Sequence, residues 1–375
     1  MDPQWIVWIK SGGRCAICNR YLLDDNFGTV VPVGENAHIV GRSAAAGSPR
    51  GNDPLPVAVR DNPENLVLLC REQHRLIDNP SLTRLFTVEE LLDIKRTHEA
   101  RIHHVTGLEE KRYTAILRLI GKVRGDSPSV PRGSAAAATI EFASRYPFYP
   151  LSLNNDGVEI DLQNFSDEGS ETYYAAAKAK ISEEVSKLNE GIRRGSVNHV
   201  SVFAFARIPL LIFLGKIIDD TIPTDLYQFM RSTQNWKWIP SAPIVRFVHA
   251  MTRTGSTSDE AILVVNASGT IKESELPSEL ATLPVFIIQP TCGIIPQPDT
   301  IQNNCSLVNF EKTFREFLSF IESSHKSIRR LHLFSAVPLS VAVCIGRCIS
   351  RDVAPNFSLY ELIDSRRICT MRLDK

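Results

Sequence analysis

Net charge is the first thing this chain lacks. Its 42 Lys and Arg are matched by 42 Asp and Glu, which leaves a formal charge of zero. Proteins that hold nucleic acid constitutively carry a basic surplus. The even balance excludes that mode and leaves a local patch, or the joining of several copies. Long apolar runs are missing as well. The longest, roughly Ile208 to Leu214, is far shorter than the ~20 residues that a bilayer-spanning helix needs, so no membrane span is expected. The opening MDPQWIVWIKSGG has no basic region followed by an apolar stretch. A secretory leader is therefore not expected, and the cytoplasm is the expected location. What remains is a soluble globular composition, 43% hydrophobic and 22% charged over 375 residues. That length exceeds one ordinary core and suggests two or three domains.

Eight cysteines in a cytoplasmic chain argue for thiols or metal ligands rather than disulfides. Cys292, Cys305, Cys344, Cys348 and Cys369 are scattered in apolar surroundings and read as small core residues. Cys15, Cys18 and Cys70 do not. They fall in a stretch that reads RCAIC, then NAHIVGRS around His38, then DNPENLVLLCREQHRLID from Asp61 to Asp78. The C-x2-C pair is a weak signal alone. A further cysteine some fifty residues on strengthens it as a zinc half-site. Val30, Val31 and Val33 read as a strand leading into His38, Asn65 to Cys70 as a second short strand, and Arg71 to Asp78 as the opening of a helix. The result is a ββα order with one histidine on each arm. The loop 41–60 between the arms carries Arg42, Arg50 and Arg60, candidate phosphate contacts.

On His38, Asn65 and His74, with Cys15, Cys18 and Cys70 around them, the stretch resembles an HNH nuclease module. The resemblance implies that His38 is a general base, since a neutral imidazole can take a proton from water near pH 7. It implies that Asn65 fixes the His38 loop and that His74 holds a catalytic divalent cation, Mg2+, which neutralises a scissile phosphate. It further implies a structural Zn2+ on the three cysteines. Gln73 stands directly before His74 where the family has Cys or His, so the fourth zinc ligand is unassigned. Ala37 stands directly before His38 where many members place a second ligand for the catalytic cation. Asn36 is a candidate for that role.

Beyond this module, Thr87 with Glu90 forms a capping box for a helix that runs to Val105, and Thr106-Gly107 breaks it. A second helix is expected from Leu108, with Ile116, Leu119 and Ile120 on one face. His98, His103 and His104 are expected to be exposed helix histidines. Gly125 to Ser134 is a linker by composition. The expected domains are 1–85 (nuclease), 86–124 (helical connector), 125–138 (linker) and 139–375.

The last region carries a faint repeat. SVFAFARIPL from Ser201, followed by Gly215-Lys216, is echoed by LFSAVPL from Leu333, followed by Gly346-Arg347. Each then reaches a Pro and a Tyr: Pro223 and Tyr227, Pro355 and Tyr360. Two strand–turn–helix units suggest two Rossmann-like halves, with ligand at the carboxyl ends of the strands beside the helix N-termini. With Trp236-Lys237-Trp238 after the first unit, the order resembles a SAVED domain. The whole chain is thus similar to the HNH–SAVED effector nucleases of CBASS anti-phage defence. The fold class expected is mixed α/β: a ββα-metal module, a helical connector and two Rossmann-like (CARF-like) halves.

That resemblance implies a metal-dependent endonuclease acting on double-stranded DNA. It would be switched on when a cyclic oligonucleotide, a cyclic dinucleotide first, binds and drives assembly into a homo-oligomer. The candidate messenger contacts are Arg207 and Pro209 in the first turn, and Ser335, Ala336 and Pro338 in the second. Gln289, Pro290 and Thr291 form a third edge, and Trp236 and Trp238 are candidate stacking platforms. Lys216 and Arg347 read as surface charges. Two alternatives stay open: a modification-dependent HNH restriction enzyme that needs no messenger, and a non-catalytic ligand sensor whose zinc knuckle serves assembly.

Overall fold

The computed structural model describes residues 2–24, 28–45, 47–108, 112–123, 125, 130–148, 158–218, 220–256, 259–291, 293–349 and 354–374. Its contacts divide the chain into two units, Met1–Glu109 and Glu110–Lys375. Among the described residues no helix is long and apolar enough to cross a membrane.

The first unit opens with α1 (Pro3–Lys10). The Asp2 carboxylate caps it by accepting the Gln4 N–H, and proline stands in its first turn, where the missing donor costs nothing. Two short strands, β1 (Leu23–Asp24) and β2 (Val31–Pro32), pair antiparallel. Then β3 (Gly34–His38) pairs antiparallel with β4 (Leu66–Cys70), which sets His38 opposite Leu66 and Gly34 opposite Cys70. All five residues of β4 are buried. Helix α2 (Arg71–Ile77) follows β4 without a loop. Helix α3 (Val88–Thr106) begins at Thr87, whose hydroxyl accepts the Glu90 N–H, and its cap is Gly107. Val7, Leu22, Ile39, Leu66 to Leu69, Ile77 and Leu91 form this unit's core. His103 and His104 are exposed, but His98 is buried, with Nε2 3.2 Å from the Ser11 carbonyl oxygen.

The second unit begins with β5 (Tyr113–Ile120), and here the expected second helix is overturned. Six consecutive residues, Thr114 to Leu119, are buried. The segment is a strand covered on both faces, and such strands show no alternation. Helix α4 (Arg132–Ala143) occupies part of the expected linker and buries Ala135, Ala138 and Thr139. Of the rest of that linker, residues 126–129 lie outside the described residues. Next come β6 (Tyr146–Phe148), β7 (Val158–Asp161), α5 (Glu171–Arg193), β8 (Val200–Phe205), α6 (Ile208–Ile218) and β9 (Thr224–Tyr227). The sheet runs β6-β5-β8-β9, all parallel, with β7 pairing the second half of β5.

A second sheet contains β10 (Phe247–Arg253), β11 (Glu260–Asn266), β12 (Val285–Pro290), β13 (Arg330–Ala336), β14 (Asn356–Ile363) and β15 (Arg366–Leu373). Its order is β10-β12-β11-β13-β14-β15, parallel except for the two outer pairs. Helices α7 (Asn304–Ser324) and α8 (Leu339–Cys348) complete it.

The repeat is therefore real in three dimensions: β8–α6–β9 answers β13–α8–β14. Phe203 stacks on Tyr227 with ring centroids 4.3 Å apart, and Phe334 stacks on Tyr360 at the same distance. Helices α6 and α8 cross at Gly215 and Gly346. A Cβ on Gly215 would lie 2.1 Å from the Val343 carbonyl oxygen, and one on Gly346 would lie 2.0 Å from that of Ile212. Lys216 and Arg347 are more than surface charges. Lys216 Nζ donates to the Asp374 carbonyl, whereas Arg347 donates to Thr224 Oγ1 and the Ile222 carbonyl, so each basic residue ties its own half to the other. Cys344 and Cys348 are core residues as expected, Cys369 is half-buried and Cys305 is exposed. Cys292 lies outside the described residues.

Candidate functional site

In the first unit His38 ends β3, and His74 lies on α2, which β4 delivers. Both line one cavity of about 410 Å³, together with Gly41, Arg42 and Asp78. His38 Nε2 is 2.8 Å from Asp61 Oδ1. The hydrogen bond from His38 holds the Asp61 carboxyl below its usual range, and Arg42 adds to the effect at 3.4 Å. An ionised Asp61 keeps the proton on Nε2 and leaves Nδ1 with the free lone pair. Asn65 is buried. Its amide oxygen accepts the Val40 N–H at 2.8 Å, and its nitrogen donates to the Val40 and Arg60 carbonyls. It thus stitches the backbone two residues past His38 to the start of β4.

His74 sits between two carboxylates, with Nδ1 2.7 Å from Glu35 Oε2 and Nε2 3.2 Å from Asp78 Oδ2. Asp78 raises the His74 pKa, burial opposes this, and Glu35 adds to the rise. Glu35 and Asp78 meet opposite nitrogens of the ring, and among the described residues only Cys15, Cys18 and Cys70 bring three ligand atoms together. His74 Nε2 with Asp78 is a two-donor pair of the nitrogen–carboxylate kind that a divalent cation takes. Sequence reasoning left the partners of His74 open. The signal was present in the H-x3-D spacing, which puts His74 and Asp78 on one helix face. The side chain of Asn36 has a buried oxygen without a hydrogen-bond partner, and Asn36 does not line the cavity.

Two of the three loop arginines expected at phosphates are committed elsewhere. Arg60 is only 2% exposed and donates to the carbonyls of Gly41, Ser43, Gly51, Asp53 and Leu55. It is the internal scaffold of loop 41–60. Arg50 is likewise turned inward. Arg42 is exposed.

The ligand atoms of Cys15, Cys18 and Cys70 lie within 4.8 Å of one another, and Cys18 Sγ is 3.7 Å from Cys70 Sγ. Burial pushes the Cys15 thiol up, yet backbone N–H groups of Cys18, Cys70 and Ile17 aimed at its sulfur outweigh burial and lower its pKa. Burial pushes Cys70 up to about 12. Three converging sulfurs with amide donors behind them fit a tetrahedral zinc with one remaining place. Among the described residues no fourth His, Cys, Asp or Glu joins the group.

The second unit holds a cavity of about 530 Å³ at the carboxyl ends of β8 and β13. Arg207, Ser335, Ala336 and Pro338 line it, as do Ile208 and Leu339, the first residues of α6 and α8. Pro209 is buried in α6 and does not line it. Trp236 and Trp238 are not stacking platforms. They are 2% and 5% exposed, packed on Phe203, Phe229 and Phe142, and Trp238 Nε1 donates to the Leu226 carbonyl. Gln289, Pro290 and Thr291, at the end of β12, lie off the cavity wall. Sequence reasoning missed Gln228, Phe229, Arg231, Tyr360, Glu361 and Arg367, which line it. Arg207 is bound at 2.9 Å to both Glu168 and Glu361. Burial raises the Glu361 pKa against the pull of Tyr174 and Arg207. Gln228 Oε1 accepts both the N–H and the hydroxyl of Ser340 in the first turn of α8.

Two parallel-sheet halves facing one another across a cavity edged by two helix N-termini define a ligand-sensing α/β module. Residues 181–369, just over half of the chain, match the SMODS-associated and fused to various effectors sensor domain, SAVED, and the chain belongs to that family. It is similar to the solved Acinetobacter baumannii Cap4 SAVED/CARF-domain containing receptor with the cyclic trinucleotide 3'3'3'-cAAA. The identity is 13% and the TM-score 0.46, over 82% of this chain and 63% of that one. With 2'3'3'-cAAA the same receptor gives 15%, 0.45, 82% and 62%. The Moraxella osloensis Cap4 receptor gives 13%, 0.41, 76% and 60%. This chain thus spans less than two thirds of the length of each of them. No curated protein matches it by sequence.

Proposed function

We propose that this chain is a messenger-gated DNA endonuclease of CBASS anti-phage defence. In this reading the first unit hydrolyses phosphodiesters and the second senses a cyclic oligonucleotide. The observation that carries it is the meeting of His38 and His74 at one cavity, with Asp61 behind the first and Glu35 and Asp78 flanking the second.

His38 acts as general base through Nδ1. It takes a proton from a water whose oxygen bonds to phosphorus as the P–O bond to the leaving sugar oxygen breaks; that oxygen takes up a proton from solvent. Asp61 fixes the ring and stabilises the imidazolium that forms. Asn65 holds the strand end so that the base stays in register with the helix. His74 and Asp78 would hold a divalent cation, whose contribution is charge neutralisation at the phosphate. Cys15, Cys18 and Cys70 would hold a structural zinc that braces the hairpin against α2.

For the sensor, the cavity sits where two helix N-termini converge, an environment that favours anions. Arg207, Arg231 and Arg367 add cations to its wall, Arg207 being paired with Glu168 and Glu361. Two such termini related by the repeat suit the two phosphates of a cyclic dinucleotide. A neutral chain holds DNA weakly alone, and assembly of several copies supplies the missing affinity through effective concentration. The test is plasmid digestion with Mg2+ and a panel of cyclic di- and trinucleotides. One or more of them should switch on cleavage of double-stranded plasmid, and His38→Ala should lower the rate by roughly 10²–10⁴-fold with messenger binding retained. Plasmid left intact with every messenger, or cut equally without any, rules out the gated nuclease.

A further inference from the structure

Arg50 joins both arms of the candidate centre from outside them, in addition to the direct contact of His74 with Glu35. It stands in loop 41–60 with φ +53°, a left-handed conformation that an arginine adopts only where its surroundings hold it there. Its side chain is 6% exposed. Towards β3, the guanidinium donates to the Ile39 carbonyl at 2.5 Å and lies 3.4 Å from the His38 carbonyl oxygen. Towards α2, it donates to the Ile77 carbonyl at 2.6 Å and to Asp78 Oδ1 at 2.7 Å. The other Asp78 oxygen faces His74 Nε2.

We propose that Arg50 is a positioning residue that sets the spacing of the two histidine arms and presents the Asp78 carboxylate, with His74, to a divalent cation. This rests on the nuclease reading above. It replaces the expectation that Arg50 touches phosphate, since its donors already have acceptors inside the protein. The planar fork is essential. Several donors in fixed directions reach acceptors on two elements at once, which the single ammonium of lysine cannot do.

The experiment uses the full-length chain and Arg50→Lys, with Mn2+ binding followed by calorimetry and by paramagnetic resonance. Partners one step behind a metal ligand typically alter affinity by about 10–100-fold. Arg50→Lys should weaken Mn2+ binding by at least about tenfold with the melting transition and the zinc content retained. In messenger-activated digestion it should raise the Mg2+ concentration needed for half-maximal rate, and excess Mg2+ should restore the rate, while KM for DNA stays the same. Equal Mn2+ affinity in the two proteins overturns the role of Arg50 and leaves the nuclease reading standing. A raised KM for DNA with unchanged Mn2+ affinity makes Arg50 a phosphate contact instead. A wild-type chain that binds no Mn2+ overturns the cation site and the role of Arg50 with it.

Discussion

His199, just before β8, shows what burial does to a single titratable group. It is 4% exposed. Its Nδ1 is 2.9 Å from Thr114 Oγ1, and that hydroxyl is 2.9 Å from Ser201 Oγ. Burial, then Arg145, Arg112 and Arg347, push its pKa down to about 4. Asp225 lies 3.5 Å from Nε2, but burial raises the pKa of Asp225 too, so it does not hold the imidazole charged. The folded chain therefore keeps His199 neutral where the unfolded chain protonates it. Stability is intact above the unfolded pKa of about 6.5 and is lost as pH falls towards about 4. From these two values, the unfolding free energy of the second unit should drop by about 2 kcal/mol between pH 7 and pH 5 through this group. In urea titrations at the two pH values, His199→Asn should remove most of that difference, since its amide can still bond Thr114. An unchanged acid loss would mean that His199 is not the group responsible. At this same scale, the motif letters His38, Asn65 and His74 were legible because their spacing along the chain carries the pattern. Asp78 was legible in its H-x3-D spacing from His74, but Asp61 and Arg50 were not legible as partners. Their meeting depends on how loop 41–60 folds around Arg60, and local spacing does not encode that.

The crossing of α6 and α8 shows how an element can be fixed by the absence of a side chain. Gly215 and Gly346 occupy equivalent places in the repeat, and backbone from the other helix fills the space where each Cβ would stand. A methyl at either position forces the helices apart, and overpacking of this kind costs about 1–3 kcal/mol. Gly346→Ala should destabilise the second unit by about that amount in chemical denaturation, and the cost should recur in Gly215→Ala. A stability within about 0.5 kcal/mol of the parent, the level of an ordinary surface substitution, would show that the helices can part at no cost. The repeat was readable because Pro, Gly and a basic residue recur at matching offsets. Strand β5 was misread for a physical reason. Its central Arg118 pairs with Glu159 inside the sheet, and a strand buried on both faces offers no period-two signal to set against a chance helical one. Helix α4 was hidden by the Gly-Ser-Pro composition ahead of it, although the run Ala135 to Ala138 is strongly helix-forming. The Trp236-Lys237-Trp238 triplet was open to the opposite error. Its alternation places both indoles inside, while Lys237 points out to Glu141.

At the scale of the whole molecule, the region that matches the sensor family lies in the second of the two units, and the balance of 42 basic and 42 acidic residues gives the chain no standing net attraction for DNA. A ligand that binds only the folded sensor stabilises it by RT ln(1 + [L]/Kd), about 2.7 kcal/mol at a hundredfold excess over Kd. For a unit of this size that corresponds to roughly 5–10 °C in the melting transition. The activating messenger should therefore raise the calorimetric transition of the second unit by that amount, and by the same amount in His38→Ala, because His38 belongs to the other unit. Replacing Arg207 by Gln removes a cavity-wall cation that pairs with Glu168 and Glu361. It should shrink the shift for a messenger carrying phosphates and leave the messenger-free transition close to that of the parent. The second expectation follows because the lost ion pairs are offset in part: Glu361 has a raised pKa from burial and can take up a proton. A messenger that triggers cleavage without moving this transition would place recognition somewhere other than the cavity between β8 and β13.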